Sequence, residues 1–210
     1  MDFYTSDTHF YHQDLLLSQI FSPRKQFLTV EDMNETIIAN WNSKVKPTDT
    51  VYHLGDISMK FTKPPKLIMS ETLAILKRLH GNFIIIKGNH DQTALLKFLK
   101  QNNDITANQK PKFTIHEVGT RVKFAHYEVF LTHYPLIFGM TKNQINLHGH
   151  IHNYAMPHQE NINVGIDSPE IGYLPKNSVP FGAPLSQNEV IEMIQAKRHH
   201  MLRNRRSEER

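Results

Sequence analysis

Five short polar stretches of this sequence each follow a run of apolar residues: Asp7-Thr8-His9, Gly55-Asp56, Gly88-Asn89-His90-Asp91, Thr132-His133-Tyr134 and His148-Gly149-His150-Ile151-His152. They offer carboxylates, imidazoles and one amide, the donors that hold hard or borderline divalent ions. Two such ions about 3.5–4 Å apart need several of these donors and at least one shared carboxylate. Asp7 and His9, two apart on an extended chain, point the same way and can hold one ion. The tight Gly55-Asp56 turn presents a carboxylate suited to bridging, Asn89 offers a neutral carbonyl oxygen, and His133 and His150 offer imidazoles to a second ion. Each stretch alone is common by chance. All five in this order, each closing an apolar run, make a specific signal, because ligands of α/β sheets bind at the carboxyl ends of strands.

The stretch LHGHIH (147–152) sets three histidines at alternate positions. Residues 148 and 152 of a straight strand stand about 13 Å apart, too far for all three to serve two ions about 4 Å apart. Spacing alone leaves open which of them do. The chain has 14 histidines and no cysteine, so disulfides, thiolate metal sites and cysteine nucleophiles are excluded. Any metal must be held by nitrogen and oxygen, which suits Mn, Fe, Zn, Ni or Co.

The elements that must position these residues alternate between α and β. Phe3–Thr5 reads as a first strand and TVYHLGD (50–56) as a second; FIIIKGNHD (83–91) reads as a buried third. Helices are expected over Thr29–Val45, where Thr29 caps and Met33, Ile37, Ile38 and Trp41 form an apolar face, over Leu67–Leu79, and from Thr93. From Lys112 the period changes to two, and FTIHEV, VKFAHYE and VFLTHYP read as successive antiparallel strands, followed by INLHGH and NINVGID. Ser186 and Glu189 form a capping box that opens a terminal helix over 186–200. His53 and His80 read as structural, and Trp41 as core.

Taken together, D-x-H, G-D, G-N-H-D, a separate His and G-H-x-H resemble the calcineurin-like metallophosphoesterase superfamily. The wider stretches NWNSKVKPTDTVYHLGD, IIIKGNHD, LTHYP, LHGHIH and NVGID resemble its small bacterial and phage branch. The resemblance spans most of residues 1–167. It implies an α/β fold, a four-layer αββα sandwich of two mixed sheets flanked by helices, with a dinuclear metal site at the strand ends. It also implies the ligand sets: Asp7, His9, Asp56 and His152 for one ion, and Asp56, Asn89, His133 and His150 for the other, with Asp56 bridging. Of the three alternate histidines, His148 is then a neighbour and not a ligand. His90 would contact the phosphate or leaving group, and Asp91 would orient its imidazole. The implied reaction is hydrolysis of a small, nucleotide-like phosphomonoester or phosphodiester by a hydroxide bridging two divalent ions, manganese first among them. Relatives often carry H-F-G-H after the first motif; here it is His9-Phe10-Tyr11-His12, so Tyr11 would narrow the approach to the ions.

The remaining features set the domain and its partners. Residues 1–196 read as one domain, with a proline-rich loop at 168–184 that either caps the pocket or pads the route to the last helix, and a basic, flexible tail at 201–210. Residues 197–210 hold six of the 24 Lys/Arg and two of the 20 Asp/Glu, which leaves 18 of each sign for the rest of the chain. A neutral body argues against a long nucleic-acid groove. The alternative function is a nuclease that contacts the DNA or RNA backbone through 197–210, and a more distant one is a non-catalytic metal-binding scaffold. No run approaches the roughly 20 apolar residues of a membrane span, and the N-terminus lacks a basic and apolar leader, so a cytoplasmic protein with no membrane partner is expected.

Overall fold

The computed structural model describes residues 1–18, 22–60, 65–139 and 141–208. Strands β1 (Asp2–Thr5), β2 (Thr50–His53), β3 (Asn82–Ile86) and β4 (Phe113–His116) run parallel in the order β4-β3-β2-β1. The short β9 (Leu185–Ser186) joins β1 antiparallel. Successive side chains of a strand face opposite ways. Phe3, Val51, Phe83 and Ile85 therefore enter one hydrophobic cluster with α2 (Val30–Lys44), α3 (Pro65–Arg78) and α4 (Thr93–Gln101), while Tyr4, Tyr52 and Ile86 enter a second. A sheet covered on both faces explains the unbroken apolar run at 83–86.

The second cluster is shared with the other sheet, order β5-β6-β7-β8: β5 (Gly119–Phe124), β6 (Tyr127–Thr132), β7 (Gln144–His148) and β8 (Asn161–Asn163). Val129, Leu131, Ile145, Leu147 and Ile162 face the first sheet, and Val190, Met193 and Ile194 of α5 (Gln187–Glu208) pack into the same cluster. A four-residue helix, α1 (Asp14–Leu17), follows β1. The expected αββα sandwich of two mixed sheets flanked by helices is thus present.

One expectation about the strands needs correction. FTIHEV does not begin an antiparallel meander: it forms β4, parallel to β3, with Phe113 opposite Phe83 and their ring centroids 5.9 Å apart. In the second sheet β5 and β6 are antiparallel, as VKFAHYE and VFLTHYP suggest, while β6–β7 and β7–β8 are parallel. Period-two alternation reports which face a residue takes but not which sheet its strand enters.

Helix α2 starts where expected, with the Asp32 N–H donating to Thr29 Oγ1 at 3.1 Å. The capping box at α5 is formed: Glu189 accepts from the Ser186 N–H at 2.6 Å, and the Ser186 hydroxyl accepts from the Glu189 N–H at 3.3 Å. That helix is longer than the expected 186–200 and runs to Glu208; residues 209 and 210 of the anticipated tail lie outside the described residues. The proline-rich loop holds a 3₁₀ turn at Pro169–Tyr173 and is fastened at both ends. Buried Glu170 pairs with buried Lys197 of α5, and Asn40 of α2 donates to the Phe181 carbonyl at 2.9 Å. Lys197 is therefore spent inside the fold, while half-buried Arg198 is held at the surface, donating to the Lys142 carbonyl at 2.9 Å and lying over the Tyr127 ring. Among the described residues no helix is long and apolar enough to cross a membrane.

Candidate metal centre

The loops that leave β1, β2, β3, β6 and β7 converge at one end of the two sheets. They are tied to each other by their backbones. Asp7 donates to the Gly55 carbonyl (3.0 Å), His9 to Asp56 (3.0 Å), Gly149 to His133 (3.0 Å) and Ile166 to Ser6 (3.2 Å). Asp7, His9, Asp56, His150 and His152 all have left-handed backbones, with φ of 58°, 47°, 56°, 69° and 46°. The extended geometry expected for Asp7 and His9 is thus replaced by a tighter one. The approach is close enough to require glycine at two points: a Cβ on Gly149 would sit 2.2 Å from Asp7 Oδ2, and one on Gly88 would sit 2.2 Å from Asp56 Oδ1.

One group of donors gathers around Asp7. The Nε2 atoms of His9 and of His152 each lie 3.9 Å from Asp7 Oδ1. Asp7, His9 and His152 present ligand atoms within 4.8 Å of one another, as do Asp7, Asp56 and His133. His9 Nδ1 is paired with His12 Nδ1 at 3.3 Å, so Nε2 faces the carboxylates; that atom is buried and has no hydrogen-bond partner. A second group gathers around Asn89, whose Oδ1 lies 2.8 Å from both His133 Nε2 and His150 Nδ1. The Leu54 carbonyl accepts from His133 Nδ1 at 2.8 Å, which places the proton there and leaves the lone pair of Nε2 facing the centre. Asp56 stands between the groups, with Oδ2 3.6 Å from His9 Nε2 and 3.5 Å from His133 Nε2.

The electrostatics describe a pocket built for cations. Burial pushes the Asp7 carboxyl up to about 7, with the neighbouring Asp56 charge adding to the rise and His152 opposing it. Burial likewise raises Asp56 and lowers His9, His133 and His150, which keeps these imidazoles neutral. Paired buried carboxylates beside neutral imidazoles, one of them with an unpartnered nitrogen, fit divalent ions held by nitrogen and oxygen.

His90 and Asp91 divide their roles differently from expectation. His90 is exposed above the centre, its ring centroid 5.5 Å from that of His9, and its backbone N–H donates to Asp56 Oδ1 at 2.8 Å. Asp91 points the other way, into the protein. Its buried carboxylate accepts three backbone N–H groups, from Asp56 (2.9 Å), Ile57 (3.0 Å) and Gly88 (2.8 Å). It shapes the turn that carries Asp56 and does not orient the His90 imidazole. His148 is fully buried on β7, with Nδ1 donating to the Gly149 carbonyl at 2.9 Å, away from both donor groups. The Tyr11 hydroxyl donates to the Glu71 carbonyl of α3 at 3.3 Å, which holds that ring against the helix.

Several supporting residues were not singled out in the sequence. Buried Arg24 and Asp167 form a two-pronged ion pair behind the Asp7 loop, and Asp167 Oδ2 lies 3.2 Å from His152 Nδ1. Asn163 Nδ2 donates to the carbonyls of His152 (2.8 Å) and Tyr154 (2.9 Å), and its Oδ1 accepts from Gly165 (2.9 Å), so β8 clamps the HGHIH loop. Asn146 similarly accepts from the Leu136 N–H at 2.7 Å behind the loop of His133. A signal existed for Asp167, which closes the apolar run of NVGID as the ligands close theirs; none existed for Arg24.

Comparison with known proteins decides the family. A model of the calcineurin-like phosphoesterase superfamily domain matches residues 3–166. The chain belongs to the calcineurin-like phosphoesterase superfamily. It is similar to an uncharacterized protein of Methanocaldococcus jannaschii, with 31% identity over 153 residues, 71% of this chain and 81% of that one. It is also similar to the gene 66 protein of Mycobacterium phage L5, with 24% identity over 214 residues, 91% of this chain and 92% of that one. The crystal structure of a protein of unknown function from Aquifex aeolicus superimposes with a TM-score of 0.61 at 25% identity, covering 92% of this chain and 98% of the other. The donor clusters lie on the loops that carry this superfamily member's five polar motifs, and Asp167 falls one residue past the matched range.

Proposed function

We propose that this superfamily member is a metal-dependent phosphoesterase that holds two divalent ions, Mn²⁺ foremost, and hydrolyses a small, nucleotide-like phosphoester. The observation that carries the reading is the placement of Asp56, one carboxylate oxygen within 3.6 Å of the donor nitrogens of two separate histidine groups. A shared carboxylate between two nitrogen-rich positions is the arrangement a dinuclear centre needs. Asp7, His9 and His152 would complete one position, and Asn89, His133 and His150 the other. Bound there, the ions would supply Lewis acidity toward the phosphoryl oxygens and an activated water.

The protein's own groups would do the rest. Neutral imidazoles at His9, His133 and His150 are in the protonation state that coordination requires. Exposed His90 stands over the centre, where its ring can reach the leaving oxygen of a bound ester and give it a proton. Its backbone N–H donates to Asp56 Oδ1, which ties the main chain of the proton donor to the shared carboxylate.

The test is hydrolysis of p-nitrophenyl phosphate, its bis ester and a nucleotide panel with Mn²⁺, alongside metal content. Wild-type protein is expected to hold about two ions per chain and to turn over at least one ester, and Asp56→Asn to lose on the order of 100-fold in activity. No turnover by the wild type, or an Asp56→Asn variant equal to it, would refute the reading.

A further inference from the structure

We propose that Arg24 and Asp167 are positioning residues that make the two metal positions unequal, so that the position served by Asp7, His9 and His152 takes its ion more tightly than the one served by Asn89, His133 and His150. This rests on the dinuclear reading above and adds to it a residue pair and an order of filling.

The Arg24 guanidinium is fully buried, and its donors are all directed at two targets that bear on the same position, apart from a 3.5 Å contact to Met33 Sδ. Nε and Nη2 grip the Asp167 carboxylate at 3.0 and 2.7 Å. Nη2 and Nη1 also donate to the carbonyls of Asp7 (2.7 Å) and Thr8 (3.1 Å). The fork thus joins the Asp7-Thr8-His9 loop to residue 167, 143 positions away from Arg24 in sequence. Asp167 passes the constraint on. Its Oδ2 faces His152 Nδ1 at 3.2 Å, and an ionised carboxylate can only accept, so the imidazole proton is placed on Nδ1 and the Nε2 lone pair on the side of Asp7.

A carboxylate behind a ligating histidine fixes its rotation and strengthens it as a donor. The other position has no counterpart. His133 is backed by the neutral carbonyl of Leu54 and Asn89 is an uncharged and exposed ligand; Asp56 and Asp7 both bring a carboxylate oxygen near His133, but neither stands behind its ring as Asp167 stands behind that of His152. One position is therefore braced from behind by a buried ion pair; the other is backed by a neutral carbonyl and includes an exposed, uncharged amide.

Calorimetric titration of chelator-stripped full-length protein with Mn²⁺ reads both positions independently of activity. The wild type is expected to show two unequal affinities. Asp167→Asn should weaken the tighter by about 10–100-fold and leave the weaker unchanged. Arg24→Lys, which keeps the charge but loses the fork, should weaken the same position, and this variant gives the result should Asp167→Asn fail to fold. In a His152→Gln background, Asp167→Asn should add nothing further to that loss. Equal weakening of both positions, or lowered thermal stability with both affinities intact, would overturn the proposal and show an ordinary buried ion pair. Two ions bound with equal affinity would also overturn it, whereas wild-type protein that takes up no Mn²⁺ would remove the dinuclear reading itself.

Discussion

Replacing Asp91 with Asn separates two roles that the sequence cannot distinguish. In the structure Oδ2 accepts from the Asp56 and Gly88 N–H groups and Oδ1 from that of Ile57, all at 2.8–3.0 Å and shielded from water. An asparagine oriented to keep Oδ2 retains two of these bonds at neutral strength and sets an amide N–H₂ against the Ile57 donor. Hydrogen bonds to a charged acceptor contribute about 1.5–3 kcal/mol and neutral ones about 1, while a buried donor left unmade costs about 1–3 kcal/mol. The sum is offset in part because burial already pushes the Asp91 carboxyl up, and removing the charge relieves that cost. A net destabilisation of about 3 kcal/mol is expected, read as a shift of the urea midpoint of metal-free protein. Because the same turn aims the shared Asp56, uptake of both ions should weaken together. The reasoning is refuted if the urea midpoint stays put while activity falls, and if that fall vanishes in a His90→Ala background, since that pattern belongs to a residue acting through the imidazole.

Two pH effects follow from the buried groups. His148 is pushed by burial down to about 4, so the unfolded chain binds its proton below about 6.5 while the native protein refuses it. Its contribution to stability is therefore complete above pH 6.5 and is lost as pH falls toward 4, by about 3 kcal/mol in all. His148→Gln should flatten that part of the pH–stability curve and still bind two ions; loss of metal would reassign His148 as a ligand. Asp7, pushed up to about 7 in the metal-free protein, is protonated below that pH, so Mn²⁺ binding at pH 6 should release a proton that binding at pH 8 does not. Calorimetry in buffers of different ionisation enthalpy measures it, and equal proton release at both values would sink the assignment.

Much of the centre was legible because each donor directly follows an apolar strand. Strand ends are local, so Asp7, Asp56, Asn89 and His133 could be read one at a time, and the sheet assembled them. What the resemblance implied about Asp91 differs here for a local reason: in a tight turn consecutive side chains diverge, and His90 faces out while Asp91 faces in. Arg24 looked like any basic residue beside Lys25, and its partner lies 143 positions on, so only the folded chain shows the pair. The asparagines of β7 and β8 read as polar interruptions of a strand, yet Asn146 and Asn163 are fully buried and hold the ligand loops from behind. The strand β4 went to the wrong sheet because pairing depends on the distant Phe83, while the extra length of α5 was available in the absence of Gly or Pro from 187 to 208.

The left-handed backbones carry the last step. Asp7 and His9 share this conformation two residues apart, and so do His150 and His152, with φ between 46° and 69°. Each such residue costs on the order of 1 kcal/mol in an ordinary chain. The strain is held by bonds that involve no ion: Asp7 and His9 donate to the loop after β2, the Gly149 N–H to His133, and the His150 N–H to the Asp7 carboxylate at 3.0 Å. The D-x-H and H-x-H repeats therefore have one physical meaning. In each, two left-handed residues flank a third, which folds the chain tightly enough to bring Asp7, His9 and His152 within ligand distance of one another. Bonds between protein groups thus fix the ligand loops in this shape, and a loop fixed by its own bonds costs less to order when it binds.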